Sequence, residues 1–321
     1  MTHNAKAKLL TGSGLLKVLT LLVCVVSVVG FLAKVWWVFE MMCHFRLHFM
    51  VVLGFFSVLW LLLRHCRWAA ACGALALVNA LIVFSLLIPS RGAPASSGAT
   101  VRFVSLNVHT ANQHTDLVLK FLRESDADVI FLMEVNDRWM AELSSLKDIY
   151  PMSVADPPED NFGIALFSRL PLAKTNIIQL GRAYIPSVTA QIECGGRKVF
   201  LLGTHPFAPG NAYYARTRNS QLADVGGLVR QQSLTVVVIG DLNETPWSPY
   251  FTDLLKESGL RNSSQGLGFF NSWPAALRGF GIPLDHCLVS SEFSVVKKKL
   301  GPQVGSDHLP VIIDLQLAGD K

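Results

Sequence analysis

Val236-Val237-Val238-Ile239-Gly240-Asp241-Leu242-Asn243 is a short apolar run that ends on a carboxylate and, two residues later, an amide. Consecutive β-branched side chains favour extended backbone, and a run this apolar reads as a buried strand. Residues two apart on an extended segment point the same way, so Asp241 and Asn243 present their polar groups together.

The same form recurs. Val101–Leu106 precedes Asn107, Val129–Met133 precedes Glu134, and Asp307-His308 leads into the apolar Leu309–Leu315. Oxygen-rich groups projected from strand ends suit a hard cation, Mg²⁺ or Mn²⁺, better than a sulfur or imidazole cage. Further strand-like runs lie at 163–168, 187–193, 198–204, 235–240, 284–290 and 310–317, interleaved with polar or helical stretches. The class is therefore α/β or α+β with many strands. Cys194-Gly195-Gly196 reads as a hairpin turn. Leu222, Val225 and Val229 stand at helical spacing in an amphipathic helix from Tyr213 to Arg230.

Composition divides the chain. Overall it is 51% hydrophobic with a net charge of +5 and a mean hydropathy of +0.39, high for a soluble enzyme. The first hundred residues hold 8 of the 28 basic residues and 1 of the 23 acidic ones, leaving 20 and 22 in residues 101–321, a net of −2. The pI near 8.9 thus describes the N-terminal part and is no nucleic-acid signature for the rest.

Leu15–Ala33, Leu47–Leu63 and Trp68–Ile88 are each near the roughly 20 apolar residues a helix needs to cross a bilayer. Three transmembrane helices are expected within residues 1–88. Lys6, Lys8, Lys17, Arg64 and Arg67 flank one side of these spans, against Lys34, Arg46 and Arg91 on the other. By the positive-inside tendency the N-terminus is cytoplasmic, and everything after Ile88 lies outside a bacterial-type inner (plasma) membrane. Trp36, Trp37 and Trp68 suit the interfacial belt. A cleaved signal peptide is the competing reading of residues 1–33, but the apolar core is long, lacks an A-x-A-like site and is followed by further spans. Residues 89–100 form a Pro/Gly/Ser-rich linker whose mean reach is about 20 Å, which keeps a domain beginning at residue 101 near the bilayer surface.

In order along the chain stand Ser105-Leu106-Asn107-Val108, the strand ending in Glu134, Thr204-His205, Gly240-Asp241-Leu242-Asn243, Leu284-Asp285-His286 and Ser306-Asp307-His308-Leu309-Pro310-Val311. One such triplet recurs by chance in turns, whereas an ordered series on strand ends is specific. The series resembles the endonuclease/exonuclease/phosphatase superfamily, the DNase I-like fold, over nearly all of residues 101–318. It is most similar to the bacterial membrane-anchored members. The resemblance implies a two-sheet β-sandwich flanked by helices, with the active site at one edge.

Phosphate-ester hydrolysis needs a cation to offset charge, a base or orienter for water, and a proton source near the leaving oxygen. Glu134, ending a buried run, is expected at the rim as the principal metal ligand, with the Asn107 carbonyl completing the shell. Asp241 can orient and deprotonate water while Asn243 holds a phosphoryl oxygen, roles that the resemblance also assigns. Asp307 and His308 would face opposite sides of a regular strand and can share a site only if the backbone turns, which Gly305-Ser306 permits. By resemblance, Asp307 joins the metal shell and His308 contacts the scissile phosphate. Asp285 is the expected partner that fixes the His308 tautomer and raises its basicity. His205 resembles the second active-site histidine.

Other residues carry less. His286 should face away from Asp285 and reads as structural. His109 and His114 follow Asn107 in a loop and are candidates for substrate contact, as is Asn161. Cys194 and Cys287 are expected to be free thiols. Lys297-Lys298-Lys299 reads as a solvated strand edge, with contact to anionic lipid or a phosphate backbone as the functional alternative.

The expectation is a membrane-anchored, Mg²⁺-dependent phosphoesterase of phosphodiesterase or nuclease-like type, acting on DNA or RNA, with a phospholipid or lipid-linked phosphate as the alternative substrate. A domain of net charge −2 lacks the diffuse positive field that supports DNA binding, although Arg216 and Arg218 could form a local groove. A non-catalytic anchored binding module would be signalled by a missing carboxylate or histidine, and none is missing. No protein partner is identifiable.

Overall fold

A computed structural model describes residues 12–89, 100–158 and 160–318. Nearly all of the expected linker, together with Lys6, Lys8 and Arg91, lies outside the described residues. The chain forms two compact units, one of N-terminal helices and one running from Leu86 onward except for Trp247–Pro249.

The helical unit contains Gly12–Val29 (α1, continued by a 3₁₀ turn to Leu32), Trp37–Cys43 (α2), Arg46–Leu62 (α3) and Cys66–Phe84 (α4, continued to Leu87). Gly12–Leu32 and Cys66–Leu87, of 21 and 22 residues, are long and apolar enough to cross a membrane. At 1.5 Å per residue each covers about 30 Å, the depth of a bilayer's hydrocarbon core. The expected span at 47–63 is α3, which has 17 residues and is bent by 70° from α2, so a third span exists only if that pair crosses together. Leu15, Leu22, Phe55, Leu62 and Leu81 face outward. Inside, Trp60 Nε1 donates to Thr20 Oγ1 at 3.0 Å and Asn79 Nδ2 to Ser27 Oγ at 2.9 Å. Apolar surface around hydrogen-bonded polar groups is the arrangement a hydrocarbon solvent favours.

The second unit begins with Thr100–Asn107 (β1), Thr115–Glu124 (α5), Val129–Met133 (β2), Asp137–Leu143 (α6), Met152–Asp156 (β3) and Ile164–Ser168 (β4). It continues through Ala173–Leu180 (β5), Ile185–Cys194 (β6), Arg197–Thr204 (β7), Ala212–Arg230 (α7), Thr235–Asp241 (β8) and Pro249–Ser258 (α8). Arg261–Asn262 (β9), Asp285–Val289 (β10), Phe293–Leu300 (β11) and Val311–Leu317 (β12) complete it. Two six-stranded sheets result, ordered β11-β12-β1-β2-β4-β3 and β5-β6-β7-β8-β10-β9. Gly195 and Gly196, both at positive φ, make the expected turn between β6 and β7. Leu222, Val225 and Val229 bury the inward face of α7.

Burial explains the layers. Val129, Phe131 and Met133 of β2 and Val237 and Ile239 of β8 enter the core between the sheets. Their neighbours Ile130 and Leu132 pack outward with α5 and α6, and Val236 and Val238 with α7 and α8. Strands covered on both faces are apolar throughout, which is why the central strands were legible in the sequence.

This topology places the site. β1 runs parallel to β2, and β7 parallel to β8, so four strand ends open at one edge of the sandwich. β10 is antiparallel to β8 with Asp285 opposite Asp241, and β12 is antiparallel to β1, so their starting ends reach the same edge.

Candidate active site

Asp241 ends β8 at the bottom of the cluster, completely buried. Gly240 before it has φ +151, and a Cβ there would overlap the Thr204 carbonyl oxygen at the end of β7. Glycine therefore lets β8 approach β7 closely and deliver Asp241 beside His205. The Asp241 amide donates to Met133 Sδ at 3.0 Å, which ties the two sheets together under the site. Asn243 N–H donates to Asp241 Oδ1 at 2.9 Å, leaving Oδ2 to face the remaining groups.

Those groups are two imidazoles. His308 Nε2 lies 3.5 Å from Asp241 Oδ2 and His205 Nε2 3.7 Å from the same oxygen. Both separations exceed a good hydrogen bond, so neither ring takes up the Asp241 Oδ2 lone pairs fully. On its other side His308 Nδ1 is 2.8 Å from Asp285 Oδ2, and the Ser272 hydroxyl accepts from the Asp285 amide at 3.2 Å. Asp285 thus fixes the His308 ring with Nε2 aimed at the site. His205 has no such orienter: its Nδ1 is buried without a hydrogen-bond partner among the described residues.

Asp307 and His308 diverge at the turn anticipated at Gly305-Ser306. Gly305 has φ +87, and Ser306 Oγ donates to Asn107 O at 2.7 Å while accepting from His308 N–H at 3.0 Å. His308 turns inward. Asp307 stays half-exposed at the rim, accepting from Trp273 Nε1 at 3.1 Å through Oδ2.

Glu134 leaves β2 with φ +60, which swings its carboxylate toward the site. Its Oε2 accepts from Thr110 N–H at 3.1 Å and its Oε1 from Asn107 Nδ2 at 2.9 Å. Asn107 Nδ2 also lies 3.4 Å from Asp241 Oδ2, and Asn107 Oδ1 accepts from His109 N–H at 3.0 Å. His109 Nδ1 lies 3.4 Å from Asp307 Oδ1 and 3.7 Å from Glu134 Oε2. Two carboxylates thus face one ring nitrogen, in a place whose field attracts a cation. A second grouping, Asp241, Asp285 and His308, also brings possible ligand atoms within 4.8 Å. There the short His308–Asp285 bond accounts for the proximity, so acid–base chemistry is the better assignment for that trio.

Burial pushes the Asp241 carboxyl up to about 6, against the opposing charges of His308 and His205. For His308, burial alone would favour the neutral ring, but Asp285 and Asp241 outweigh it and hold its pKa far above the ordinary histidine range. Asp285 is held below the usual carboxylate range because the His308 charge and hydrogen bond overcome its own burial. The site therefore pairs a readily protonated carboxylate with an imidazolium, the separation that general acid–base work requires. His286 is structural as anticipated: burial takes it down to about 4, and its Nε2 is 2.8 Å from Glu244 O.

Several expectations change. Arg218 does not line a groove; it is fully buried in an ion pair with Glu244 at 2.9 Å, and its Nη1 donates to Asn243 O at 2.7 Å. Arg216 is exposed. Lys298 is not solvated: alternation along β11 turns it inward, where Nζ donates to Ser263 and Ser264 Oγ at 3.0 and 2.7 Å, leaving Lys297 and Lys299 outside. His114 and Asn161 are exposed, while His109 joins the site. Cys194 and Cys287 are free, as expected, and buried. Sequence reasoning missed Thr110, Ser272 and Trp273, whose roles arise from contacts between loops, and it read Ser306 as part of the turn without its hydrogen bonds. It also missed an aromatic chain from His205 through Phe162 to Phe207 and Tyr214.

Residues 104–308 match the Endonuclease/Exonuclease/phosphatase family, a stretch that contains every residue just described at the site. A phospholipase C of Staphylococcus aureus is 24% identical over 233 residues, covering 59% of this chain and 71% of that protein. The endonuclease/exonuclease/phosphatase from Bacteroides vulgatus has a similar structure, with a TM-score of 0.60 at 17% identity over 68% of this chain and 99% of that one. D. rerio TDP2 complexed with single strand DNA product gives a TM-score of 0.59 at 16% identity, again over 68% and 99%. At such identities the structural likeness speaks for the fold. The two-sheet architecture, the strand-end residues and the family match agree: the chain belongs to the endonuclease/exonuclease/phosphatase family, whose members are phosphoester-hydrolysing enzymes.

Proposed function

We propose that this chain is a Mg²⁺-dependent phosphodiesterase held in a bacterial-type inner membrane by its N-terminal helices, with the catalytic unit on the outer side. The observation that carries the chemistry is the convergence of His308 Nε2 and His205 Nε2 on Asp241 Oδ2 at 3.5 and 3.7 Å. In hydrolysis, water attacks phosphorus, one water proton passes to Asp241, the ester P–O bond breaks and the leaving oxygen takes up a proton. Asp241 is a suitable acceptor because burial has raised its pKa toward neutrality. The His308 imidazolium, oriented by Asp285, offsets charge on the phosphoryl oxygens, His205 relays a proton from solvent water to the leaving oxygen, and the proton taken by Asp241 is released to solvent afterwards. Asn243 holds Asp241 in line through its N–H.

Glu134, Asp307 and Asn107 are the residues that would hold the divalent ion. Glu134 and Asp307 supply hard carboxylate oxygens around the His109 ring nitrogen, and the Asn107 carbonyl, which here accepts from His109 N–H while Nδ2 faces Glu134, joins them when its amide turns over. When bound, the ion supplies electrostatic stabilisation of the phosphoryl oxygens and eases deprotonation of water.

A second reading of the substrate, a phospholipid or lipid-linked phosphate instead of a nucleic acid, is favoured by the similarity to a phospholipase C and by a catalytic part of net charge −2. Purified full chain in lipid nanodiscs, given DNA and phospholipid vesicles together, discriminates them. EDTA-sensitive cleavage of lipid alone supports the second reading, and cleavage of DNA alone rejects it. A C-terminal reporter active only in the cytoplasm would overturn the outward orientation.

A further inference from the structure

Among the described residues from 100 to 318, large apolar side chains are exposed at nine positions, and four of these fall where two loops from the candidate active site enter the first turn of α7 and a 3₁₀ segment. Tyr213 and Tyr214, 54% and 39% exposed, open α7. Leu277 and Phe280, 55% and 70% exposed, lie in the 3₁₀ segment Ala275–Phe280. Each loop grows out of a site residue. From His205, ring contacts pass to Phe162 at 6.2 Å, Phe207 at 4.2 Å, Tyr214 at 4.7 Å and Tyr213 at 5.9 Å. From Asp307, Oδ2 accepts from Trp273 Nε1 at 3.1 Å, and its carbonyl oxygen accepts from Ala275 N–H at 2.7 Å. Each loop also carries an exposed arginine, Arg216 and Arg278.

We infer that these two loops form a rim that contacts the phospholipid bilayer, with Tyr213, Tyr214, Leu277 and Phe280 at the headgroup–acyl boundary and Arg216 and Arg278 among anionic headgroups. Tyrosine and phenylalanine suit that boundary because an apolar ring can sit below a wet or charged neighbour. Basic residues near an anionic surface add attraction that falls off within a Debye length. The occupant is argued from the chain itself. Only twelve residues, 88–99, separate the apolar helix ending at Leu87 from β1, a length that spans at most about 43 Å, so a bilayer holding that helix is within range. A nucleic acid would meet a catalytic part of net charge −2, and the rings of Phe207 and Tyr214 already stack on each other at an interplanar angle of 18°.

The inference rests on the membrane-anchored reading, yet it is tested without requiring any lipid to be hydrolysed. The full chain, with exposed Cys66 replaced by Ser, is labelled with an environment-sensitive nitrobenzoxadiazole at Phe280→Cys, at Tyr213→Cys, and at Lys198→Cys as a control. Lys198 is exposed near the start of β7, the strand whose opposite end delivers His205. In nanodiscs of phosphatidylcholine and phosphatidylglycerol, the two rim labels should emit to the blue of the control. They should also be quenched at least twofold by lipids carrying a nitroxide high on the acyl chain. Two rim positions guard against a single variant that folds poorly. Water-like emission and unquenched signal at both, matching Lys198→Cys, would overturn the inference. Quenched rim labels on a chain that cleaves DNA alone would uphold the rim and reject only the lipid-substrate reading.

Discussion

Replacing Arg218 by Met tests how the site is braced from behind. Arg218 is fully buried on α7, yet it reaches the turn after β8, with Nη2 2.9 Å from Glu244 Oε1, Nη1 2.7 Å from Asn243 O and Nε 2.9 Å from Asn219 Oδ1. Both members of the Arg218–Glu244 pair are 0% exposed, so the substitution removes the positive charge facing a buried carboxylate. Removing one partner of a buried pair costs about 3–5 kcal/mol, whereas replacing both by apolar groups is often neutral. At about 2–4 °C per kcal/mol for a domain of this size, Arg218→Met should lower the melting temperature of the catalytic unit by roughly 6–20 °C. Adding Glu244→Leu should restore most of that loss. Thermal unfolding of the three variants and the wild type, followed by tryptophan fluorescence in detergent, measures the cycle. Catalysis should respond differently. Asn243 sits at φ +49 and its N–H holds Asp241 Oδ1, so the double variant should fold well and still lose kcat at least tenfold, because nothing then clamps the Asn243 carbonyl. An Arg218→Met protein melting within about 3 °C of wild type, or a double variant no more stable than the single, would refute the reasoning.

Asp285→Asn removes the charge that holds His308 cationic; losing a charge-assisted bond of about 1.5–3 kcal/mol should lower kcat/KM roughly 10- to 100-fold. With one carboxylate gone the His308 pKa falls, so the alkaline limb of the pH–rate profile should move to lower pH; an unmoved limb would contradict the assignment. In the wild type the stability His308 contributes is full below its unfolded pKa near 6.5 and lost as pH rises through its raised folded value. The Asp285 contribution is present above about 3.9 and lost as pH falls through its depressed folded value. Gly240→Ala should cost at least ~2 kcal/mol and displace Asp241, since a Cβ at φ +151 overlaps the Thr204 carbonyl; a melting temperature and rate near wild type would show that β8 can shift. Burial lowers Lys298 to about 8, so at this group the unfolded state binds the extra proton, and the Lys298 contribution to stability should rise from about pH 8 to about pH 10 against the falling His308 contribution. Lys298→Met should flatten that rise, read from melting temperatures across the window.

How much was legible depended on burial. β2 and β8 are apolar on both faces, β1 and β12 mostly so, and each meets polar groups at its site end: Asn107, Glu134 and Asp241 at the ends of β1, β2 and β8, and Asp307-His308 ahead of β12, so their sequences announce both the strand and the site. β3, β5, β9 and β11 lie on or next to sheet edges or are very short, and β5, with Ala173 to Asn176 exposed, resembles any polar loop. Lys297-Lys298-Lys299 shows the limit of reading charge as solvent exposure, because strand alternation alone decides that the middle lysine is inside. The divergence of Asp307 from His308 followed from the glycine before them, and Asp285 was reachable as the only acid at the start of its strand. Trp273, Ser272 and Thr110 join the site through pairings between loops far apart in sequence, which no local pattern encodes. The same holds for Arg218, whose partner is set by how α7 docks on its sheet.

The most direct test of the account is the rate at which the full chain in nanodiscs hydrolyses a soluble bis-aryl phosphodiester as Mg²⁺ is titrated from zero, for wild type, Glu134→Gln, Asp241→Asn and His308→Gln. The account predicts that EDTA abolishes turnover and Mg²⁺ restores it. Glu134→Gln should raise the Mg²⁺ requirement, and Asp241→Asn and His308→Gln should each lower kcat by at least a hundredfold at saturating Mg²⁺. Turnover that survives EDTA, or an Asp241→Asn enzyme with wild-type kcat, would contradict it.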